Sequence, residues 1–105
     1  MLTQQTAINK VQLFAKEIKN TGLNLKKVIL FGSYAKNKQQ EYSDIDVALV
    51  ADEFIGVGFE DIQLFVNTLT HYIYIQPKTY QTVYFEQGDP FIEEIKRTGI
   101  EIKFE

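Results

Sequence analysis

Two short apolar runs constrain this chain most. Val28-Ile29-Leu30-Phe31 is a continuous apolar stretch closed by Gly32, and Asp44 to Val50 is a second stretch, apolar apart from Asp44 and Asp46 at its mouth. Continuous apolar runs of this length, bounded by turn residues, are strands covered on both faces, and such strands belong to α/β architectures with helices packed over a sheet. The order of the remaining segments agrees. Ile8, Val11, Phe14, Ala15 and Ile18 recur at helical spacing, with Thr3 or Thr6 as cap and Gly22 as stop, and they predict a helix over about 4–20. A second helical turn is expected from Ser33, a loop over 52–59 and a helix over about 60–70 through Ile62, Phe65, Val66 and Leu69.

Further along, alternation in Tyr72-Ile73-Tyr74-Ile75-Gln76 predicts a third strand whose pairing Pro77 limits, and 82–86 reads as a short strand. Asp89 as N-cap, Pro90 at the first helical position, Lys96 and Arg97 in the last turn and Gly99 beyond it define a terminal helix. The alternating Ile100 to Phe104 stretch closes the sheet at an edge. The expectation is a single α/β (α+β) domain over residues 1–105, a small mixed sheet flanked by helices. Gly56 and Gly58 follow a strand, but no third glycine comes at the offset of a dinucleotide fingerprint, so they read as a connector.

Composition excludes several classes. Apolar residues make up 45% and charged residues 24%, with 8 Phe and 6 Tyr, which suits a packed core. The net charge of -3 gives no strong nucleic-acid signal, although Lys26, Lys27, Lys36 and Lys38 lie to either side of the Gly32-Ser33 turn in sequence. Without cysteine there is neither a disulfide framework nor a thiolate metal site. The polar N-terminal stretch has no signal-like apolar segment and no run is long enough to span a membrane, so a cytoplasmic location is expected.

The chemistry concentrates around Gly32 and Asp46. Side chains two apart on a strand share a face, which puts the Cα atoms of Asp44 and Asp46 about 6.6 Å apart. At an effective dielectric near 20, two unit charges at that separation repel by ~2.5 kcal/mol, a cost that a hard cation such as Mg2+ removes. The same face continues as Ala48 and Val50, so the pair stands at the rim of a strand otherwise covered. Gly32 allows a close backbone approach, and a strand-to-helix turn at Ser33 presents N–H donors of the kind that cradle phosphate. Together they suit in-line phosphoryl or nucleotidyl transfer.

Taken as a unit, GSYAKNKQQEYSDIDVALV resembles the signature of the minimal nucleotidyltransferase family, within the DNA polymerase beta-like superfamily. Gly32, Ser33, Ala35, Lys36, Ser43, Asp44 and Asp46 fall in the family pattern, and Asn37 stands where glycine is usual. The resemblance implies the polymerase beta-like fold and a nucleoside triphosphate, ATP foremost, as donor. It implies Mg2+ on Asp44 and Asp46 as catalytic and metal residues, two ions in an active member and one or two here. It also implies nucleotide contacts from Gly32, Ser33, Lys36 and Ser43, and transfer of a nucleoside monophosphate to an acceptor hydroxyl. The implied partner is a small helical HEPN-type protein, in a toxin–antitoxin pair in which this chain is the antitoxin. One position departs. The place of the family's third carboxylate, just before a proline in the strand after the middle helix, holds Gln76, so the alternative is a nucleotide-binding or partner-binding module with impaired catalysis. Glu86 and Asp89 are the nearest substitutes in sequence. Tyr72 and Tyr74 read as sharing the Gln76 face, either lining a base pocket or packing as core, Tyr34 as stacking or packing, and His71 as a strand-end residue without chemistry.

Overall fold

The computed structural model describes residues 2–105. Helix α1 spans Gln4–Asn20, and of the two candidate caps it is Thr3 whose hydroxyl accepts from the Thr6 N–H at 3.1 Å. Of its periodic residues Val11, Phe14, Ala15 and Ile18 are fully buried, Ile8 is only partly so, and Ala7 completes the buried face. Strand β1 (Leu25–Phe31) starts earlier than the apolar run alone indicates. Strand β2 covers Ile45–Ala51, with Asp44 just ahead of it. No helix follows Ser33. The segment is a set of overlapping turns, in which the Lys36 N–H donates to Gly32 O at 3.2 Å and the Lys38 N–H to Ser33 O at 2.8 Å. Asn37 takes φ 55°, the left-handed conformation that asparagine tolerates.

The middle helix is broken into α2 (Gly58–Asp61), a 3-10 turn (Ile62–Leu64) and α3 (Val66–Leu69). Phe65 leaves helical geometry at φ -140°, and its ring lies 6.1 Å from Phe14 and 5.9 Å from Phe54. Aromatic packing into the core overrides local helix propensity there.

The third strand is displaced from its expected place: β3 covers Ile75–Gln81, with Pro77 in its middle. Backbone groups of successive strand residues point to opposite edges. Tyr74 O accepts from the Ile45 N–H at 2.8 Å, so residues 76, 78 and 80 face β2 whereas Pro77 and Thr79 face outwards. The missing Pro77 N–H therefore falls on the free edge and costs no ladder bond.

Residues 82–86 do not form the expected strand. They lie in α4 (Thr82–Gln87), capped by the Gln81 side chain on the Tyr84 N–H. In a strand Val83 and Phe85 would share a face, yet Val83 is exposed and Phe85 buried. Helix α5 (Pro90–Thr98) starts as expected, with Asp89 accepting from the Ile92 N–H at 2.7 Å. The closing strand β4 is shorter than its alternating pattern, covering only Ile100–Glu101.

The sheet is mixed, in the order β3-β2-β1-β4, with β2 and β3 parallel and the other pairs antiparallel. One face packs Val28, Leu30, Ile45, Val47 and Leu49 against α1. The other packs Ile29, Ala48 and Val50 against Phe85, Ile92 and Ile95 of α4 and α5. Burial of β2 on both faces thus holds in the structure. No helix among the described residues is long and apolar enough to cross a membrane.

Candidate functional site

Phe31, the last residue of β1, is the Cα partner of Asp46 in β2. The chain then turns away through Gly32 at φ 74°, directly over the Asp46 side chain. A Cβ on residue 32 would collide with Asp46 Oδ2 and lie 3.2 Å from its Cγ. Glycine is needed there twice, for its conformation and for the space. Asp46 is half-buried, and burial, then the neighbouring Asp44 carboxylate, raises its pKa above the ordinary aspartate range. Asp44 is exposed at the strand entrance. Among the described residues no lysine, arginine or histidine forms an ion pair with either. The pair is thus a concentration of negative charge without a counter-ion among the described residues.

Gln76 is the Cα partner of Asp46 across the parallel β2–β3 ladder. Paired residues on neighbouring strands project to the same face, so the amide stands beside the two carboxylates. Nowhere among the described residues do three His, Cys, Asp or Glu side chains converge as a metal-binding group. Asp89 does not swing towards Asp46: its carboxylate caps α5 and accepts the Tyr84 hydroxyl at 2.6 Å, which holds it below the ordinary aspartate range. Glu86 sits in a cleft with Lys26 and Lys27 at the opposite end of the sheet. Those two lysines begin β1, a strand's length from Gly32, so only Lys36 and Lys38 remain near the turn.

Lys36 forms an ion pair with Glu94 at 3.8 Å. Both line a cleft of about 320 Å³ with Phe31, Gly32, Asp46 and Phe91. The N–H groups of Ser33, Tyr34 and Ala35 donate to no protein acceptor among the described residues, while Gln4 Nε2 donates to Tyr34 O at 2.9 Å and Ala35 O at 3.2 Å. Gln4 thereby ties the turn to α1, a contact with no signal in the sequence. The Ser43 hydroxyl accepts from the Gln40 N–H at 2.8 Å and shapes the loop entering β2, where Tyr42 has φ 66°.

The tyrosines divide differently from their sequence pattern. Tyr34 is core. Tyr72 and Tyr74 precede β3 rather than sharing the Gln76 face: the Tyr72 hydroxyl donates to Glu17 Oε1 at 2.9 Å, and burial, then Glu17, push its phenol up to about 12. Tyr74 lines a small cleft with Tyr34, Tyr42 and Ser43. His71 is exposed, its Nδ1 3.2 Å from Glu17. The sequence reading misses Asp61, which is only 2% exposed. Its carboxylate accepts from the Ile55 N–H, the Gly56 N–H and the Thr79 hydroxyl, pinning the loop after β2 against β3.

This mixed sheet, with a glycine turn stacked on an acidic pair, is a nucleotidyltransferase architecture. The profile of the family described as "Polymerase beta, Nucleotidyltransferase" matches residues 9–103, and the chain belongs to that family. Among solved structures, a candidate nucleotidyltransferase from Sulfolobus solfataricus aligns with a TM-score of 0.61 at 16% identity, over 96% of this chain and 86% of that one. A toxin–antitoxin crystallised with AMP-PNP aligns with a TM-score of 0.61 at 17% identity, over 90% of this chain and 73% of that one. At these identities the likeness is one of fold. No curated protein matches the chain.

Proposed function

We propose that the chain binds a nucleoside triphosphate, ATP foremost, and transfers its nucleoside monophosphate to an acceptor hydroxyl on a small helical HEPN-type partner, acting as the antitoxin of a pair. The observation that carries this reading is the Asp46 carboxylate under the Gly32 turn, adjoined by Asp44 and without an ion-pair partner among the described residues. Two carboxylates with no third suit one Mg2+ whose remaining ligands are phosphate oxygens and water. Asp44 and Asp46 would hold it, and when bound it would neutralise phosphate charge at the reacting phosphorus.

The chain's own residues supply the rest. Unbonded amides at Ser33, Tyr34 and Ala35 receive the terminal phosphates, with Lys36 adding charge from the rim. Transfer forms a bond from the acceptor oxygen to the α-phosphorus and breaks the bond to the β-phosphate bridge, and pyrophosphate leaves. The acceptor proton goes to water, because the Gln76 amide beside Asp46 is no base. The same position favours a second reading, a nucleotide-dependent binding partner with little transfer. The family match and the fold shared with a toxin–antitoxin crystallised with AMP-PNP support a nucleotide and a protein partner.

The test is incubation with labelled ATP, Mg2+ and the HEPN-type partner. Label on the partner, lost in Asp46→Asn, supports transfer. Mg2+-dependent ATP binding without label on the partner supports the second reading, and absence of nucleotide binding rejects both.

A further inference from the structure

Beyond Gln76, β3 continues along the open edge of the sheet and forms the floor of a cleft of about 740 Å³. Lys78, Tyr80, Tyr84, Asp89 and Phe91 line it, together with Ile55 and Gly56 of the loop after β2. The volume is that of a small-molecule site. Tyr84 and Phe91 leave about half their surface to solvent, at 48% and 49% exposure. Tyr80 is only 6% exposed, yet its hydroxyl has no hydrogen-bond partner among the described residues. The hydroxyl oxygen is itself covered from solvent, so it is the Tyr80 ring that lines the cleft. The Tyr80 and Tyr84 rings stack at 6.5 Å and 7°, and Lys78 Nζ lies 5.3 Å from the Phe91 centroid and 5.8 Å from that of Tyr80. No carboxylate pairs with Lys78 within ion-pair range among the described residues. The wall therefore offers aromatic faces and a cation, with the Asp89 carboxylate already engaged by the Tyr84 hydroxyl, a set suited to a flat heteroaromatic ring.

The place of the cleft is as telling as its lining. Phe91 lines both this cleft and the smaller one over Gly32 and Asp46. Lys78 is paired with Ala48 two residues beyond the Asp46–Gln76 pair, on the same sheet face. From the Gly32 turn at the end of β1 to β3 is two strand spacings, about 10 Å, a distance that a triphosphate and ribose bridge. Resting on the reading that the phosphates lie at the Gly32 turn, we infer that the cleft walled by Lys78, Tyr80, Tyr84 and Phe91 seats the purine base of the nucleotide.

Calorimetric titration with MgATP, MgGTP, MgUTP and magnesium tripolyphosphate tests this. The purine nucleotides are expected to bind at least tenfold more tightly than tripolyphosphate, with MgUTP between them. Tyr84→Ala should remove about tenfold of that advantage while leaving tripolyphosphate affinity unchanged, and Phe91→Ala, which alters both clefts, should lower purine affinity more than tripolyphosphate affinity. Nucleotides binding no better than tripolyphosphate, or variants that retain the full purine advantage, would overturn the base site and leave the phosphate site standing. If neither nucleotides nor tripolyphosphate bind, the phosphate site fails and the base site with it.

Discussion

The carboxylate of Asp46 occupies the volume in which a side chain on residue 32 would begin. The turn that offers amides and the strand that offers charge therefore approach too closely for any side chain at residue 32. This contact joins the end of β1 to the start of β2 and fixes the geometry of the candidate site.

Replacing Gly32 with alanine is expected to displace Asp46 and strain a backbone at φ 74°. The cost should be about 1–3 kcal/mol in urea unfolding, with Mg2+-nucleotide affinity falling at least about tenfold. Unchanged stability and affinity would show that the turn moves aside freely.

Asp46→Asn should stabilise the free protein at neutral pH while weakening Mg2+-nucleotide binding. Because burial and Asp44 raise the folded-state pKa of Asp46, the unfolded chain loses this proton at lower pH than the folded one. Stability then falls as pH rises through the window between the ordinary aspartate value and the raised one. The asparagine variant lacks that decline, so its melting-temperature advantage should grow from about pH 4 to pH 7, reaching a few degrees. Melting curves across that range, without added Mg2+, would check it.

Gln76→Asp sets a third carboxylate beside the first two. Apart from metal the variant is expected to melt about 2–5 °C lower, with Mg2+ restoring the loss. If impaired transfer is the wild-type state, label transfer should rise at least about tenfold. A variant that melts like the wild type and gains nothing from Mg2+ would place residue 76 away from the pair.

Asp61→Ala leaves two amides and the Thr79 hydroxyl without their acceptor in a buried setting. A loss of about 2–4 kcal/mol in urea unfolding is expected, with increased amide exchange at Ile55 and Gly56. An exposed carboxylate in this role would cost far less.

Sequence periodicity determined much of the fold. The apolar face of α1, the two-sided burial of β2 and the cap, proline and terminal basic residues of α5 are local signals, written in spacing and in turn chemistry, and the structure follows them. The Gly32-Ser33 and Asp44-x-Asp46 elements were legible for the same reason: each is a few adjacent residues whose types are unusual for an apolar strand end. Errors arose where a distant partner overruled a local preference. Phe65 broke the middle helix to reach Phe14 and Phe54, 82–86 turned helical because Phe85 alone had a core to enter, and Pro77 sat inside a strand because its outward edge has no neighbour. The family resemblance already puts Gln76 in the third-carboxylate place, where the structure pairs it with Asp46, but only the tertiary structure could bury Asp61 under its loop and gather Lys78, Tyr80, Tyr84 and Phe91 around one cleft. Those relations depend on strand order and register, which are settled by packing across the sheet and leave no trace in any single stretch of chain.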